Sequence, residues 1–219
     1  MLTLTEENYI KAIYHLGIYG KEMVNTNAIA EALNTKASSV TDMVKKLAEK
    51  EYLNYKKYQG VKLTKSGINV AVNIVRKHRL WEVFLVEKLN FTWDEVHEIA
   101  EHLEHIKSEK LINELDAFLK FPTHDPHGDP IPDKDGKFNK IEKITLSQAN
   151  VGNTYKCIGV EDTSTSFLQY LDNNNISLGT TIEILYKEPF DSSVKIKLND
   201  LEMVVSQNVA QNLFLKPLN

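Results

Sequence analysis

The run His97-Glu98-Ile99-Ala100-Glu101-His102-Leu103-Glu104-His105 combines imidazoles and carboxylates at a spacing that suits a metal ion. Read as a helix, positions 97, 101, 104 and 105 fall at i, i+4, i+7 and i+8 on one face, with Ile99, Ala100, Leu103 and Ile106 on the apolar side. His78 and Glu82 repeat the i, i+4 pairing on an upstream helical segment. Mixed imidazole and carboxylate donors suit borderline-hard divalent ions such as Mn(II), Fe(II), Co(II) and Zn(II). The alternative is a solvated helix face that merely contains histidines. Against it stands density: six of the seven histidines, at 78, 97, 102, 105, 124 and 127, lie within fifty positions. His124, Asp125 and His127 occupy a proline-rich stretch and are either loop polars or ligands folded back onto the helices.

Those residues need elements to position them. A chain of 219 residues with 42% hydrophobic content can bury a sizeable core and divide into two or three small domains. Its net charge of −4 excludes a uniformly basic nucleic-acid binder but not a local basic face. The single cysteine, Cys157, offers no intramolecular disulfide and no CxxC motif. No apolar run reaches the length of a membrane span, and the start lacks the pattern of a signal peptide. A cytoplasmic setting with no membrane partner is the expectation.

Thr3-Leu-Thr-Glu6 has the form of a capping box, followed by a stripe of Ile10, Ile13, Tyr14 and Leu16 that ends at Gly17. A short helix after Asn25-Thr-Asn27, a turn at Asn34-Thr-Lys36 and a helix from Ala37 to Lys50 make a helix-turn-helix. Two short strands around Gly60 read as a wing, and Thr64-Lys-Ser-Gly67 opens a long helix. Between Lys36 and Lys65 eight lysines face three acids, a local surplus of five positive charges in an acidic protein. That is the footprint of phosphate contact. Lys36, Lys45, Lys46, Lys56 and Lys57 are candidate phosphate ligands, and Ser38, Ser39, Thr41 and Asp42 are short enough to reach base edges. The competing reading has the serines cap a helix and the lysines sit in solvent.

Large apolar residues crowd positions 78 to 120, among them Leu80, Trp81, Phe84, Leu111, Leu115 and Phe118. A homodimer interface is a natural use for part of them, and two-fold symmetry matches a palindromic operator. Residues 121–140 hold four of the six prolines and read as a loop. After Ile144 the pattern turns to short strands, at Tyr155–Val160, Thr181–Tyr186, Val194–Leu198 and Glu202–Val205, with a helical turn at Phe167–Asp172. These suggest a small β-barrel.

The order of helix-turn-helix, wing, Arg76-Lys-His78-Arg79-Leu80-Trp-Glu82 and His97-x3-Glu101-x2-Glu104-His105 resembles the metal-dependent repressors of the DtxR/MntR type. So do Phe121-Pro-x4-His127-Gly128-x-Pro-Ile-Pro and a final segment similar to the SH3-like FeoA-type module of the longer members. The resemblance implies a mainly α chain with a small all-β C-terminal domain. Its parts would be a winged helix-turn-helix over 1–70, a helical metal-binding and dimerisation domain over 71–140, and an SH3-like domain over 141–219. It implies a primary metal site of Glu101, Glu104, His105 and the side chain at position 8, here Asn8. A second site would use His78, Glu82 and His97, joined by Asp125 and His127 or by Glu161 and Asp162. Asn8 stands where relatives carry methionine or aspartate, Lys11 where one manganese-sensing subgroup has glutamate, and Asp125 where some relatives have cysteine. Iron-type members tend to place cysteine at the position of Glu101, so the all-N/O set favours Mn(II), with Fe(II) as the alternative. Zn(II), Co(II) and Ni(II) would bind such a set in vitro.

The implied function is a homodimeric repressor that binds double-stranded operator DNA when divalent metal is replete and silences metal-uptake genes, with no catalytic activity. Two rivals remain at this level: a His/Glu metallohydrolase using Glu98 or Glu104 as base, and a winged-helix adaptor without metal.

Overall fold

The computed structural model describes residues 2–56, 59–139 and 142–218. The chain divides into two compact units, and three of its helices contribute to both. The first unit comprises Met1–His78, Glu101–Glu114 and Pro132–Lys137; the second comprises Arg79–Ala100, Leu115–Ile131 and Phe138–Asn219.

Helix α1 spans Leu4–Leu16 and opens on the capping box, with Glu6 N donating to Thr3 Oγ1 and Thr3 N to Glu6 Oε2. Helices α2 (Thr26–Ala32) and α3 (Ala37–Glu49) form the helix-turn-helix. Val40, Val44 and Leu47 of α3 are fully buried, so the opposite face is left to Ser38, Ser39, Asp42, Lys45 and Lys46. Strands β1 (Leu53–Lys56) and β2 (Gly60–Leu63) pair antiparallel as the wing, and Val61 of β2 exchanges backbone hydrogen bonds with Val24. Gly60 permits that approach: at φ 109° a Cβ there would stand 2.4 Å from the Val24 carbonyl oxygen.

Helix α4 runs Lys65–Leu89, α5 Val96–Leu103 and α6 Glu109–Phe118. The sequence suggests that the liganding face continues helically to His105; instead α5 stops at Leu103, and Glu104 and His105 occupy the turn that follows. Part of the crowded apolar set is interior, with Leu80, Val83 and Leu85 at most 3% exposed, while Leu111 and Phe118 are 40% and 61% exposed.

The second unit's β part is one antiparallel sheet in the order β3-β8-β4-β5-β6-β7. Its strands are β3 (Ile144–Thr145), β4 (Thr154–Val160), β5 (Thr181–Lys187), β6 (Val194–Leu198), β7 (Leu201–Val205) and β8 (Leu213–Pro217). Register shifts at Cys157/Gly159 and Ile184/Tyr186 mark bulges that bend the sheet around its core. Helix α7 (Thr165–Asn173) buries Phe167, Leu168 and Leu171 in that core, and α8 (Gln207–Asn212) buries Val209 and Ala210. The sequence reading overlooked β3 and β8. Among the described residues, no helix is long and apolar enough to cross a membrane.

Candidate metal centres and nucleic-acid interface

In the first unit, α1, α4 and the end of α5 with the turn after it bring six polar side chains together. Lys11 Nζ lies 2.5 Å from Glu101 Oε1 and 2.6 Å from Glu104 Oε2. His78 Nδ1 is 2.7 Å from the same Glu104 oxygen. Glu104 is fully buried, so it does not sit on the solvated helix face of the alternative reading. On the other side, His105 Nδ1 meets Glu7 Oε2 at 2.7 Å. An ionised carboxylate only accepts, so Nδ1 carries the proton there, and a neutral ring keeps its lone pair at Nε2. That Nε2 lies 3.7 Å from Glu104 Oε1. Burial lowers the pKa of the nearby Lys77 ammonium, a pull partly offset by Glu7 and Glu104.

The fit of a cation to this cluster can be judged from its orphan atoms. Glu104 Oε1 and Asn8 Oδ1 are buried and accept no hydrogen bond from any described residue. Buried acceptors left without a proton are costly, and a metal ion satisfies such oxygens together with an imidazole lone pair. The donor set of Glu104 and His105 therefore fits a divalent ion, and Asn8 Oδ1 on α1 is a further unsatisfied oxygen. Glu7 goes unmentioned in the sequence reading and Lys11 enters it only as a departure from a subgroup's glutamate; their i, i+4 spacing on α1 is the available signal.

In the second unit, Glu82, Asp125 and His127 are all buried, and one ligand atom from each lies within 4.8 Å of the others. His127 Nε2 donates to the Trp93 carbonyl at 2.8 Å, and its ring stacks on Trp93. In the neutral ring this tautomer leaves the Nδ1 lone pair on the side of Glu82 Oε2, 3.7 Å away, whereas in the protonated ring Nδ1 donates to that carboxylate. Burial pulls the His127 pKa down but is outweighed by the hydrogen bond and charge of Glu82 and the charge of Asp125, so the net direction is upward. Asp125 is pushed up to about 7 by burial and then by the charges of Glu82 and Asp129, against Arg79 and His127. Its Oδ1 accepts from the backbone of His127 and Asp129, each at 2.9 Å, and Oδ2 lies 3.3 Å from Arg79 Nε. Arg79 also reaches Asp129 at 2.8 Å, bracing the loop in a way the sequence did not reveal.

The remaining expected ligands are placed as follows. His97 is exposed on α5, with Nδ1 3.6 Å from Glu82 Oε1. His102 is exposed, and His124 pairs with Thr123 Oγ1 at 2.9 Å. Asp162 accepts from Ser164 N, and Glu161 is exposed.

On the DNA-reading side, Lys36, Ser38, Ser39, Asp42 and Lys45 are exposed, as is Lys56 on the wing. Lys46 Nζ is drawn to Glu6 at 3.0 Å, beside Lys50 at 2.7 Å. Thr41 is half-buried and donates its hydroxyl to the Ala37 carbonyl. Lys57 lies outside the described residues.

Comparison with known proteins agrees along the chain. Residues 1–61 match the iron dependent repressor N-terminal DNA binding domain, residues 64–133 the iron dependent repressor metal binding and dimerisation domain, and residues 144–217 the FeoA domain. The HTH-type transcriptional regulator MntR of Oceanobacillus iheyensis is 33% identical over 144 residues, covering 66% of this chain and 90% of that protein. The iron-dependent repressor IdeR of Mycobacterium tuberculosis is 34% identical over 128 residues, 58% of this chain and 55% of that one. Among solved structures, a manganese-dependent transcriptional repressor in complex with manganese superposes with a TM-score of 0.85 at 32% identity, covering 97% of this chain and 100% of its own. ScaR with bound Cd2+ superposes at 0.78 with 34% identity, covering 97% and 99%. The chain therefore belongs to the iron-dependent repressor family of metal-dependent transcriptional regulators.

Proposed function

We propose that this protein is a homodimeric, Mn(II)-activated repressor, with Fe(II) as the alternative ion, that binds palindromic double-stranded operator DNA in the cytoplasm and silences metal-uptake genes. The observation that carries the reading is Glu104: a fully buried carboxylate with an unsatisfied oxygen, facing the His105 lone pair, in the same compact unit as the helix-turn-helix. Asn8, Glu101, Glu104 and His105 would hold the primary ion, and Glu82, Asp125 and His127, with His97 beside them, a second one. An ion bound at the primary site supplies positive charge and a fixed coordination geometry. Hard oxygen donors with imidazole favour Mn(II) over thiolate-seeking ions.

The chain's own residues do the rest. Ser38, Ser39 and Asp42 at the start of α3 would meet base edges, while Lys36, Lys45 and Lys56 would meet phosphates. Leu111 and Phe118, exposed on α6, are apolar enough to meet a second copy, which would set two α3 helices about 34 Å apart for successive major grooves. We assign residues 1–70 to DNA reading, 71–140 to metal binding and dimerisation, and 141–219 to the FeoA-type module.

Gel-shift against a selected operator tests the reading. Chelator should abolish the shift, Mn(II) should restore it, and Glu104→Gln should prevent restoration while helical content stays unchanged. Equal DNA binding in chelator and in Mn(II) would refute it.

A further inference from the structure

A cavity of about 670 Å³ opens in the first unit, lined by none of the candidate metal ligands. Its walls are one side of α4, the turn after α5 with the first turns of α6, and the loop at 133–136. Val72 and Ile112, 8% and 3% exposed, give it apolar surface. Two cations in the lining are buried as well, Arg76 at 6% exposed and Lys77 at 8%. The lining acids, Glu109, Asp133 and Asp135, are all exposed, and Asp133 Oδ1 already accepts from the amides of Asp135 and Lys137. Lys107 and Lys134 stand exposed beside them, so the buried charge of the cavity is positive and the mixed charge lies at its rim. Among the described residues the Lys77 ammonium forms no hydrogen bond and no ion pair. The carboxylates whose charge reaches it are engaged elsewhere: Glu7 by His105, and Glu104 by Lys11 and His78. Arg76 donates from Nη2 to Asn113 Oδ1 at 3.4 Å, which ties its guanidinium to the α6 wall, and a guanidinium keeps its charge at any working pH.

We propose that this cavity binds a small organic anion through carboxylate or phosphate oxygens, with Lys77 and Arg76 as its anchors, giving the regulator a second small-molecule input besides metal. A buried ammonium without a counter-charge is costly, and an anion in the cavity supplies that charge together with hydrogen-bond acceptors. Carboxylate and phosphate oxygens are the groups that a guanidinium fork and an ammonium recognise together. The volume lies within the range of small-molecule sites, about 300–1,000 Å³. A bare inorganic oxyanion fills only a small part of it, and the apolar surface of Val72 and Ile112 suits a carbon skeleton. The occupant would touch α4 and the start of α6 at once, holding the two helices together.

The site is independent of the ion, so the full chain in its metal-free form serves for the test. Citrate, glycerol 3-phosphate and inorganic phosphate are each titrated into it by calorimetry and followed by thermal melts, against sodium chloride at matched ionic strength. Citrate or glycerol 3-phosphate should bind saturably at one per protomer and raise the melting temperature above the salt control; which of the two binds tells carboxylate from phosphate ester. Lys77→Met, similar in length but uncharged, should weaken that binding at least tenfold. Asn73→Phe, which adds bulk at an exposed position of the lining and leaves every charge in place, should weaken it as much. If Lys77→Met does not fold, Asn73→Phe decides. The proposal is overturned if neither organic anion binds beyond the salt control, or if the folded variants bind as tightly as the natural protein. Inorganic phosphate binding as tightly as either organic anion would overturn the organic class of ligand.

Discussion

Glu7 contributes no ligand to the proposed ion, yet its removal should weaken metal binding more than most surface changes could. It is 7% exposed, and its Oε2 takes the Nδ1 proton of His105 at 2.7 Å. Lys107 reaches its other oxygen only at 3.9 Å from a side chain that is 42% exposed, which contributes little. Glu7→Ala therefore removes one well-formed, charge-assisted bond, worth about 1.5–3 kcal/mol. Two losses follow. In the metal-free protein a mostly buried N–H is left without its acceptor, lowering stability by about 1–3 kcal/mol. In the metal-bound protein the ring is no longer held with Nε2 toward Glu104. Outer partners of this kind typically hold about 10–100-fold in metal affinity, or about 1.4–2.8 kcal/mol.

Competition for Mn(II) against a fluorescent chelator reads the second loss, and thermal melts in EDTA read the first. Glu7→Gln retains an oxygen acceptor and loses only the charge, so its affinity should fall by no more than about tenfold. A folded Glu7→Ala protein with natural Mn(II) affinity would refute the orienting role. If its melting temperature fell while affinity held, Glu7 would be structural alone.

Three further outcomes are expected. Lys45→Ala should weaken operator binding evenly across sequences and reduce the salt slope by about one; Lys46→Ala should do less, because Glu6 already engages that ammonium, and equal salt slopes for all three proteins would contradict the assignment of α3. Cys157 is 2% exposed and burial pushes its thiol up to about 11. The folded state thus favours the neutral thiol: this contribution is full below the ordinary pKa of about 9 and is lost between about pH 9 and 11, up to about 2–3 kcal/mol, and rapid alkylation of native protein at pH 8 would show the burial to be wrong. Gly128→Ala places a Cβ 2.0 Å from the Ile158 carbonyl oxygen at φ 86° and should cost at least about 2 kcal/mol while loosening the loop that carries Asp125 and His127; Gly136→Ala, whose near contact is a flexible Val72 methyl at 3.2 Å, should cost less, and indistinguishable melts for the two would refute the packing argument.

Local signals carried the winged helix. A Thr-x-x-Glu box and a glycine between two short runs each act within a few residues, and each reappears in the structure. The candidate ligands were legible as residue types but not as partners. Periodicity assumes the helix continues, whereas α5 ends at Leu103 and the next residue turns inward. Whether Glu104 is solvated or buried depends on Lys11, 93 positions earlier, and no local pattern encodes that distance. Arg79 looked like a basic residue beside His78, but its value lies in reaching Asp129, 50 positions on. Strands β3 and β8 were missed for a related reason: β3 is two residues long and exists through its pairing with β8.

Helix α1 explains how an ion among these groups could be felt at the DNA-reading surface. Tyr9, Ile10, Ile13 and Tyr14 are buried, and Glu6 ties the start of the helix to Lys46 and Lys50 at the end of α3. Between those contacts Glu7 meets His105, Lys11 meets Glu101 and Glu104, and Asn8 lies on the same helix. A helix of 13 residues is stiff over its length, so a tie at Asn8 is transmitted to the helix-turn-helix as a shift of a body rather than a local distortion. The ion can favour DNA binding only to the extent that it binds the competent arrangement more tightly than the others. Asn8 is suited to that condition, because its Oδ1 is a buried acceptor without a hydrogen-bond partner among the described residues and would be satisfied by coordinating a cation. Asn8→Ala should therefore lower Mn(II)-stimulated operator affinity about tenfold, a coupling of about 1.4 kcal/mol, with dimerisation intact, whereas Asn8→Asp should equal or exceed the natural protein. Operator titrations in Mn(II) and in EDTA measure the difference. If Asn8→Ala keeps the natural metal dependence, α1 does not carry the coupling, and the ion must act through the exposed face of α6 instead.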